Sequence, residues 1–330
     1  MFERICLRVT AGSMLLAMGA AIVPAAAGAA DANAPTRIVI GFAAGGSLDI
    51  VARTLADKLR ASLGTTVLVE NKPGASARLA LEQVKNSAPD GKTILITSPS
   101  PIVIFPFTYK QLRYDPHKDL VPVAHIAEVP LVASTGATQP FTTMAQYVAW
   151  VKSHPGAGNV GLVTLGSPTH FGLMAFGKAI GVPLTPVPYR GVAPMLTDLV
   201  GGSLPMAIDA VGGQMELFKG GKIRFLAVTG TQRSPLLPDL PTFKEAGIPG
   251  FDVATSWYGA FVPAGTPPAT VARLEKALIE AAKDPAVKEK LGALGIETTG
   301  QPGAQFGQSI VAQRAHWKGV VAESGFTATD

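Results

Sequence analysis

The chain of 330 residues is longer than one typical domain, which indicates two lobes or one large α/β unit. Its hydrophobic fraction of 47% is ample for buried cores, and its charged fraction of 15% is low. The formal net charge is +5, but there is no run of five basic residues and no basic patch interleaved with aromatic residues, which excludes a typical nucleic-acid-binding surface.

Residues 1–30 have the pattern of a secretory signal peptide. Arg4 and Arg8 precede an uncharged apolar run over 11–23, and small residues follow that run. About 13 apolar residues are too few to cross a bilayer as a helix, which needs about 20. A retained membrane anchor is the alternative interpretation.

Cleavage near residues 29–31 would leave 26 basic and 22 acidic residues and would remove Cys6, the sole cysteine. The mature chain would then have no disulfide, no thiol nucleophile and no cysteine-ligated metal. No later segment is long and apolar enough to span a membrane. We therefore expect a soluble periplasmic protein, and we expect it to be a monomer.

The first third of the mature chain alternates between strand and helix patterns. Apolar runs predict strands, and the spacing of Leu48, Val51, Leu55 and Leu59 predicts a helix that ends at Gly64. This βαβαβ order is the unit of an open, mostly parallel sheet. The predicted elements are, in order, RIVIGF, the helix over 48–64, TTVLVEN, ARLALEQVKNS and the strand that ends APDGKTILITS.

A second alternating set follows a proline-rich interval and the apolar run AHIAEVPLVAS. After a second apolar crossing run, TSWYGAF, three helices end the chain. Two sets joined by two crossing runs predict two α/β lobes with a ligand cleft between them. The predicted bounds are 36–131 plus 256–330 for the first, discontinuous lobe and 132–255 for the second.

The usual signatures of catalysis are missing from the sequence. The five histidines form no HExxH and no i,i+4 pair, and neither GxSxG nor SxxK occurs. Ser167 and His170 are close in sequence, but at a helix start the stronger interpretation is that Ser167 or Thr169 caps the helix and that His170 lines a pocket. No cofactor and no metal are predicted.

The glycine-rich loop FAAGGSLD follows the first strand and begins the first helix. It lacks the lysine of a P-loop. It does not match GxGxxG either, because three residues, Phe42, Ala43 and Ala44, separate Gly41 from Gly45 where that motif has one. A helix N-terminus with bare backbone N–H groups favours an anion, carboxylate as readily as phosphate. An ordinary capped turn is the alternative. The predicted contacts are Ala44, Gly45, Gly46, Ser47 and Asp49, with Asp49 either turned away from the ligand or touching one of its donors.

The loop TLGSPTHFG repeats this design in the second predicted lobe. Two such loops facing each other would present backbone N–H groups to a ligand from both sides. Other strand ends add polar groups at the edge where open α/β sheets bind ligands. The further candidates are Gly166, Ser167, Pro168, Thr169, His170, Ser98, Tyr189, Arg190, Gly191 and Asp209, of which Asp209 is as well explained as a capping or hinge residue.

Seven ordered motifs resemble the Bug (TctC) family of extracytoplasmic solute-binding receptors of tripartite tricarboxylate transporters. They are FAAGGSLDIVARTLADKL, VENKPGA, APDGKTIL, GSPTHFG, VPYRGVAPMLTDLVGG, KIRFLAVTGTQRSPLLPDLPTFKEAG and WYGAFVPAGTP, and they span about 37–317. The resemblance implies a type II periplasmic-binding-protein fold whose two α/β lobes are joined by a hinge of two crossing strands. It also implies a ligand carboxylate held by backbone N–H groups and bridging water.

The chain departs from the family in two places. Ser76, Ala77, Arg78 and Leu79 replace a stretch commonly rich in Gly-Gly-Asn, and we hypothesise that Arg78 reaches the distal end of the ligand. A surface arginine is the alternative. The segment SPSPIVIFPF is unusually apolar, which favours an aromatic or aliphatic acid over citrate.

The resemblance and the loops together predict a receptor that captures a small mono- or dicarboxylate and delivers it to membrane subunits of a tripartite tricarboxylate transporter. An exported hydrolase-type enzyme is the rival class, and it would show turnover and an essential nucleophile. A receptor that signals to a sensor kinase is a third possibility, because it would use the same closed surface.

Overall fold

The computed structural model describes residues 34–251 and 255–328, and within these ranges the protein is built on two β-sheets flanked by helices. The predicted signal peptide lies outside the described residues. None of the helices in the described ranges combines the length and the apolar composition needed to cross a bilayer.

The first sheet begins with the predicted βαβαβ unit. Strand β1 pairs in parallel with both of the next two strands, so it lies between them. The elements are β1 (Thr36–Ile40), α1 (Ser47–Leu63), β2 (Val67–Asn71), α2 (Arg78–Lys85) and β3 (Thr93–Thr97). The sequence prediction for this part of the chain is confirmed.

The apolar crossing run forms two strands that belong to different sheets. A short helix, α3 (Phe105–Thr108), precedes β4 (Leu120–Val129), which lies in the first sheet. After Pro130 the chain continues as β5 (Leu131–Gly136), which pairs in the second sheet. The chain therefore passes from one sheet to the other at a single proline.

The second sheet has the order β7-β6-β8-β5-β9 among the described residues. Its outer strands and helices again alternate along the chain, and β6 pairs in parallel with both β7 and β8. The elements are α4 (Met144–Ser153), β6 (Asn159–Leu162), α5 (Pro168–Ile180), β7 (Thr185–Pro188), α6 (Val192–Gly201), β8 (Met206–Ala210), α7 (Met215–Lys219) and β9 (Ile223–Val228).

The C-terminal part of the chain returns to the first sheet. The elements are β10 (Ser256–Pro263), α8 (Pro268–Lys283), α9 (Pro285–Gly292), β11 (Glu297–Pro302) and α10 (Gly303–Ser324). Strand β10 is antiparallel to both of its neighbours, and the order of the first sheet is β11-β4-β10-β3-β1-β2. The strands of this sheet therefore come from two separate parts of the chain.

The pattern of apolar residues in α1 explains how this helix is held. Leu48, Val51, Leu55 and Leu59 are buried on one face, and each buried leucine contributes roughly 1.5–3 kcal/mol. Gly64 ends the helix in the left-handed conformation, at φ +65°, as the sequence predicts. This packing fixes the position of the helix N-terminus at the carboxyl end of β1.

The segment before α2 contains three successive non-glycine residues in the left-handed region. The φ angles are +46° at Ala75, +54° at Ser76 and +75° at Ala77. Left-handed backbone costs roughly 1–2 kcal/mol for each such residue, because Cβ approaches the following carbonyl oxygen. The family that the chain resembles commonly has glycines in this segment. The backbone strain therefore lies where the sequence of this chain departs from the family.

Replacing Ser76 by glycine is expected to raise the free energy of unfolding by about 0.5–1 kcal/mol. Glycine relieves the left-handed strain, and part of this gain is offset by the greater freedom of the unfolded chain. Urea denaturation of S76G measures the effect. The matched control is Ala312→Gly at an exposed position inside α10, which should lose about 1 kcal/mol. A loss of stability in both variants would contradict the expectation.

Candidate functional site

A cavity of about 160 Å³ lies where the strand ends of the two sheets face each other. For comparison, a core cavity of about 150 Å³ can hold one benzene molecule, so the space suits a small organic ligand. Eleven of the sixteen residues predicted from sequence line it. They are Ala44, Gly46, Ser47, Asp49, Ser98, Ser167, Pro168, Thr169, Arg190, Gly191 and Asp209.

The two sides of the cavity approach each other closely at its edge. A Cβ atom on Gly191, which precedes α6, would lie 3.8 Å from the Cβ of Ala43 in the first loop. A Cβ on Gly212, after β8, would lie 3.1 Å from the hydroxyl of Ser47 at the start of α1. Elements attached to both sheets therefore enclose the same space.

Asp49 is the centre of a hydrogen-bond network that shapes the first loop. Its carboxylate accepts from the N–H of Gly45 at 3.0 Å, from Nδ2 of Asn71 at 2.9 Å and from the guanidinium of Arg53 at 2.9–3.0 Å. Burial raises the pKa of Asp49, but the hydrogen bonds from Arg53, Gly45 and Asn71 together outweigh burial and lower it below the ordinary value. Asp49 is thus a charged brace that also borders the cavity.

The first turn of α1 retains backbone donors for a ligand. The N–H of Ile50 is the first to bond within the helix, to the carbonyl of Gly46. The N–H groups of Ser47 and Leu48, both in the cavity lining, therefore precede the helical ladder and lack acceptors within it. These donors and the positive end of the helix dipole favour a carboxylate.

The second loop is organised around the start of α5. The hydroxyl of Ser167 accepts from the N–H of His170 at 3.2 Å and caps the helix, as predicted. Nδ1 of His170 in turn accepts from the N–H of Gly166, whose φ is +67°. Pro168 has no N–H, so Thr169 provides the free first-turn donor of this helix.

His170 is a support of this loop and does not line the cavity. Its ring is buried and lies 4.7 Å from the ring of Phe326, near the C-terminus. Burial lowers the pKa of His170 to about 4, so the imidazole is neutral at pH 7 and can accept at Nδ1. Because Ser167 bonds to a backbone N–H and His170 accepts from Gly166, the two do not form a nucleophile–base pair.

Four other predicted residues also lie outside the cavity lining. Gly45 and Gly166 direct their N–H groups to side chains of their own loops, so these two donors are not available to a ligand. The hydroxyl of Tyr189 donates to Asp198 at 2.7 Å. Arg78 places its guanidinium 4.0 Å from the ring centroid of Tyr109 and donates from Nε to the carbonyl of Ala75.

The apolar part of the lining differs from the sequence prediction. Within SPSPIVIFPF only Ser98, Pro99 and Ser100 line the cavity, whereas the following apolar side chains are buried in the core. The predicted apolar wall from this segment is therefore wrong. Most of the apolar surface comes from other segments, among them Phe42, Leu131, Leu162, Val163 and Ile208.

Tyr258 is a polar lining residue that the sequence prediction missed. It lies on β10 and is buried, and burial together with the nearby Asp209 raises its pKa. Asp209, at the end of β8, lines the cavity as predicted, and burial raises its pKa to about 6. The sequence did contain a signal for Tyr258, because this residue lies in the crossing run TSWYGAF. The strand formed by that run starts beside the cavity, where the chain re-enters the first sheet.

Comparison with solved structures identifies the class of this protein. The chain is similar to the periplasmic binding protein BugD, with 32% identity, a TM-score of 0.83 and coverage of 89% of this chain and 99% of BugD. An R. palustris protein with adipate has 32% identity, a TM-score of 0.84 and coverage of 89% and 98%. MatC from Rhodopseudomonas palustris with bound malate has 30% identity, a TM-score of 0.79 and coverage of 87% and 98%. The fold is that of a periplasmic solute-binding protein.

The model of the tripartite tricarboxylate transporter family receptor matches residues 51–326, and the chain belongs to this TctC family. The resemblance drawn from the seven sequence motifs is confirmed. Family members and structural neighbours are solute-binding receptors, so the chain is a binding protein and not an enzyme.

Proposed function

We propose that this protein captures a small carboxylate in the cavity between its two sheets and delivers it to the membrane subunits of a tripartite tricarboxylate transporter. One observation carries the proposal: the first turns of α1 and α5, which belong to different sheets, both line the same cavity. Bound adipate and malate in two related structures support a carboxylate as the ligand.

The first-turn N–H groups of Ser47, Leu48 and Thr169 would hold the carboxylate. Two helix N-termini that line one cavity stabilise a negative charge there through their free N–H groups and dipoles. Ser98, on the strand-end side of β3, would add a hydroxyl. The proposed set differs from the sequence prediction because Gly45 and Gly166 already donate within their loops.

Ligand binding would close the two sheets around the carboxylate. We place the cores of the predicted lobes, 36–131 plus 256–330 and 132–255, at the two sheets, with the chain crossing at Pro130 and again before Ser256. A ligand shifts such an equilibrium only by binding the closed form better than the open form. A ligand that contacts both sides of the cavity makes all of its contacts only in the closed form, so it binds that form better.

The receptor would act in the periplasm as a monomer, after removal of residues 1–30. This part of the proposal rests on the charge and hydropathy pattern of the N-terminus and on the periplasmic setting of the family. Mass spectrometry of the protein recovered from a periplasmic extract would locate the cleavage site. Sedimentation of the purified chain would give its oligomeric state.

A carboxylate at about 100 times its Kd is expected to add about 2.7 kcal/mol to the free energy of unfolding. A thermal-shift screen of mono-, di- and tricarboxylates and amino acids measures this, with the corresponding amides as controls that keep the shape and lose the charge. If no carboxylate raises the melting temperature, the proposed function is wrong.

Transport is separated from sensing by a measurement in cells. Deleting the gene should abolish uptake of the radiolabelled carboxylate that the screen identifies, and the plasmid-borne gene should restore it. Unchanged uptake combined with a lost transcriptional response to that carboxylate would favour a receptor for a sensor kinase.

A further inference from the structure

Asp209 presents an unneutralised carboxyl group to the cavity. It lies at the carboxyl end of β8, where its backbone pairs with Val132 of β5 and its carbonyl accepts from Nε2 of Gln214 at 3.1 Å. Asp209 lines the cavity, and a hydrogen bond from the backbone of Ala210 acts on its carboxylate, but it has no ion pair among the residues that the structure describes. The backbone is therefore held by the sheet, and the residue borders the ligand space without an ion pair of its own.

Tyr258 and Ser47 complete this polar end of the cavity. Tyr258 lies on β10, and Asp209 interacts with it strongly enough to contribute to the raised pKa of the phenol. Ser47 lies beside Tyr258, close enough for its hydroxyl to lower the pKa of the phenol, although burial and Asp209 raise that pKa overall. The phenol thus stays protonated and offers a second oxygen acceptor next to the carboxyl group of Asp209.

The other charged side chains of the lining do not neutralise Asp209. Asp49 is paired with Arg53, and Arg190 is exposed on the turn before α6. Burial raises the pKa of Asp209 to about 6, so the group is mostly ionised at pH 7.5. A ligand whose charged groups are all carboxylates would place a further negative charge near this buried one, which is unfavourable.

We propose that the ligand carries an ammonium group in addition to its carboxylate, and that Asp209 accepts a charge-assisted hydrogen bond from this ammonium group. The proposal rests on the carboxylate-binding function proposed above and names the class of ligand as amino acids. The carboxylate lies at the first turns of α1 and α5, and the ammonium group lies between Asp209 and Tyr258. The ammonium group then gives Asp209 a partner of opposite charge in the closed cavity.

Three series of acids that differ only at C2 test this directly. They are succinate, malate and aspartate; glutarate, 2-hydroxyglutarate and glutamate; and adipate with 2-aminoadipate. Isothermal titration at pH 7.5 is expected to show at least tenfold tighter binding of the amino member of the series whose length fits. The remaining amino acids are titrated in the same way.

The titrations decide whether the ligand carries an ammonium group that binds Asp209. Equal or tighter binding of the unsubstituted acid overturns the ammonium proposal and leaves the carboxylate receptor standing. Tightest binding of the hydroxy acid also overturns it and assigns a hydroxyl donor to Asp209. If no amino acid and no other carboxylate binds, the proposed function itself fails.

The variant Asp209→Asn separates a role in recognition from a role in folding. The amino acid is expected to lose at least tenfold in affinity in D209N, whereas the unsubstituted acid binds equally well or better. Asp239→Asn, at an exposed position outside the cavity lining, is the control and should change neither affinity. Equal losses for both ligands in D209N would overturn the proposal.

The pH dependence of binding gives a second measurement that needs no variant to fold. Between pH 7.5 and 5.5 the wild-type affinity for the amino acid should fall, because Asp209 becomes protonated and loses its charge. The affinity for the unsubstituted acid should rise over the same range. Subtracting the binding free energy of D209N from that of wild type at each pH removes the contribution from titration of the ligand itself. If this difference in binding free energy does not change with pH, the proposal is contradicted.

Discussion

Replacing Gly41 by alanine is expected to destabilise the protein by about 3 kcal/mol, at the upper end of the cost of overpacking. Gly41 is buried directly after β1, and a Cβ there would lie 2.2 Å from the Cβ of Ala77 and 2.6 Å from its Cα. The obstacle is backbone, which cannot rotate away as a flexible side chain can. The strained segment over 75–77 would have to move, and the loop at 43–46 with it.

Chemical denaturation of G41A measures the loss of stability, and titration with the ligand measures the effect on the first loop. Gly319→Ala is the control, since no atom lies within 4 Å of a Cβ at this exposed position of α10. It should gain about 0.5–1 kcal/mol from the better helix propensity of alanine. A G41A protein with the wild-type denaturation midpoint would show that the contact between Gly41 and Ala77 is not close in solution.

Replacing Asp49 by asparagine is expected to cost about 2–3 kcal/mol of stability, and ligand affinity should fall as well. The carboxylate receives hydrogen bonds from Gly45, Asn71 and Arg53, and hydrogen bonds to a charged group contribute roughly 1.5–3 kcal/mol each. The NH₂ group of an amide would face some of these donors, and the Arg53 guanidinium would lose its carboxylate partner and keep only its hydrogen bond to Asn71. The loop that carries the first-turn N–H groups would lose its brace.

The same interaction predicts a dependence of stability on pH. Because the pKa of Asp49 is lower in the folded protein than its ordinary value of 3.8, the stabilisation is complete above that value and is lost as the pH falls through the folded-state pKa. The difference in stability between wild type and D49N, measured at pH 3–7, should therefore be constant at the higher pH values and begin to shrink below about pH 3.8. Asp57→Asn, whose exposed pair with Arg60 contributes little, is the control. A stability difference that stays constant down to pH 3 would contradict this origin.

The fold could be predicted from the sequence because local patterns and topology agreed. Apolar runs and the helical spacing in α1 gave the βαβαβ unit, and the left-handed Gly64 ended its helix where expected. The apolar run AHIAEVPLVAS was predicted to cross between the two parts of the fold, and the structure places that crossing at Pro130. The left-handed conformations at 75–77 could not be predicted, because alanine and serine do not favour them.

The candidate site could be predicted as two loops but not as a set of contacts. Glycine-rich turns before helices indicated backbone donors, and most of the chosen residues do line the cavity. The sequence could not show that Asp49 and His170 bind the N–H groups of Gly45 and Gly166, because either side chain could equally have faced a ligand. Tyr258 was missed because its position depends on pairing with β4, which is distant in sequence.

The aromatic contact beside the second loop extends beyond His170 to the C-terminal helix. The ring of Phe171 lies 5.8 Å from Trp317 of α10 and the same distance from Phe326, and the N–H of Ala328 donates to the carbonyl of Thr108. Trp317 is buried in this cluster. Trp317, one of the three tryptophans of the chain, is therefore an intrinsic fluorophore at the junction between α5 and α10, and its contribution to the emission of an unlabelled sample can report how ligand occupancy changes this junction.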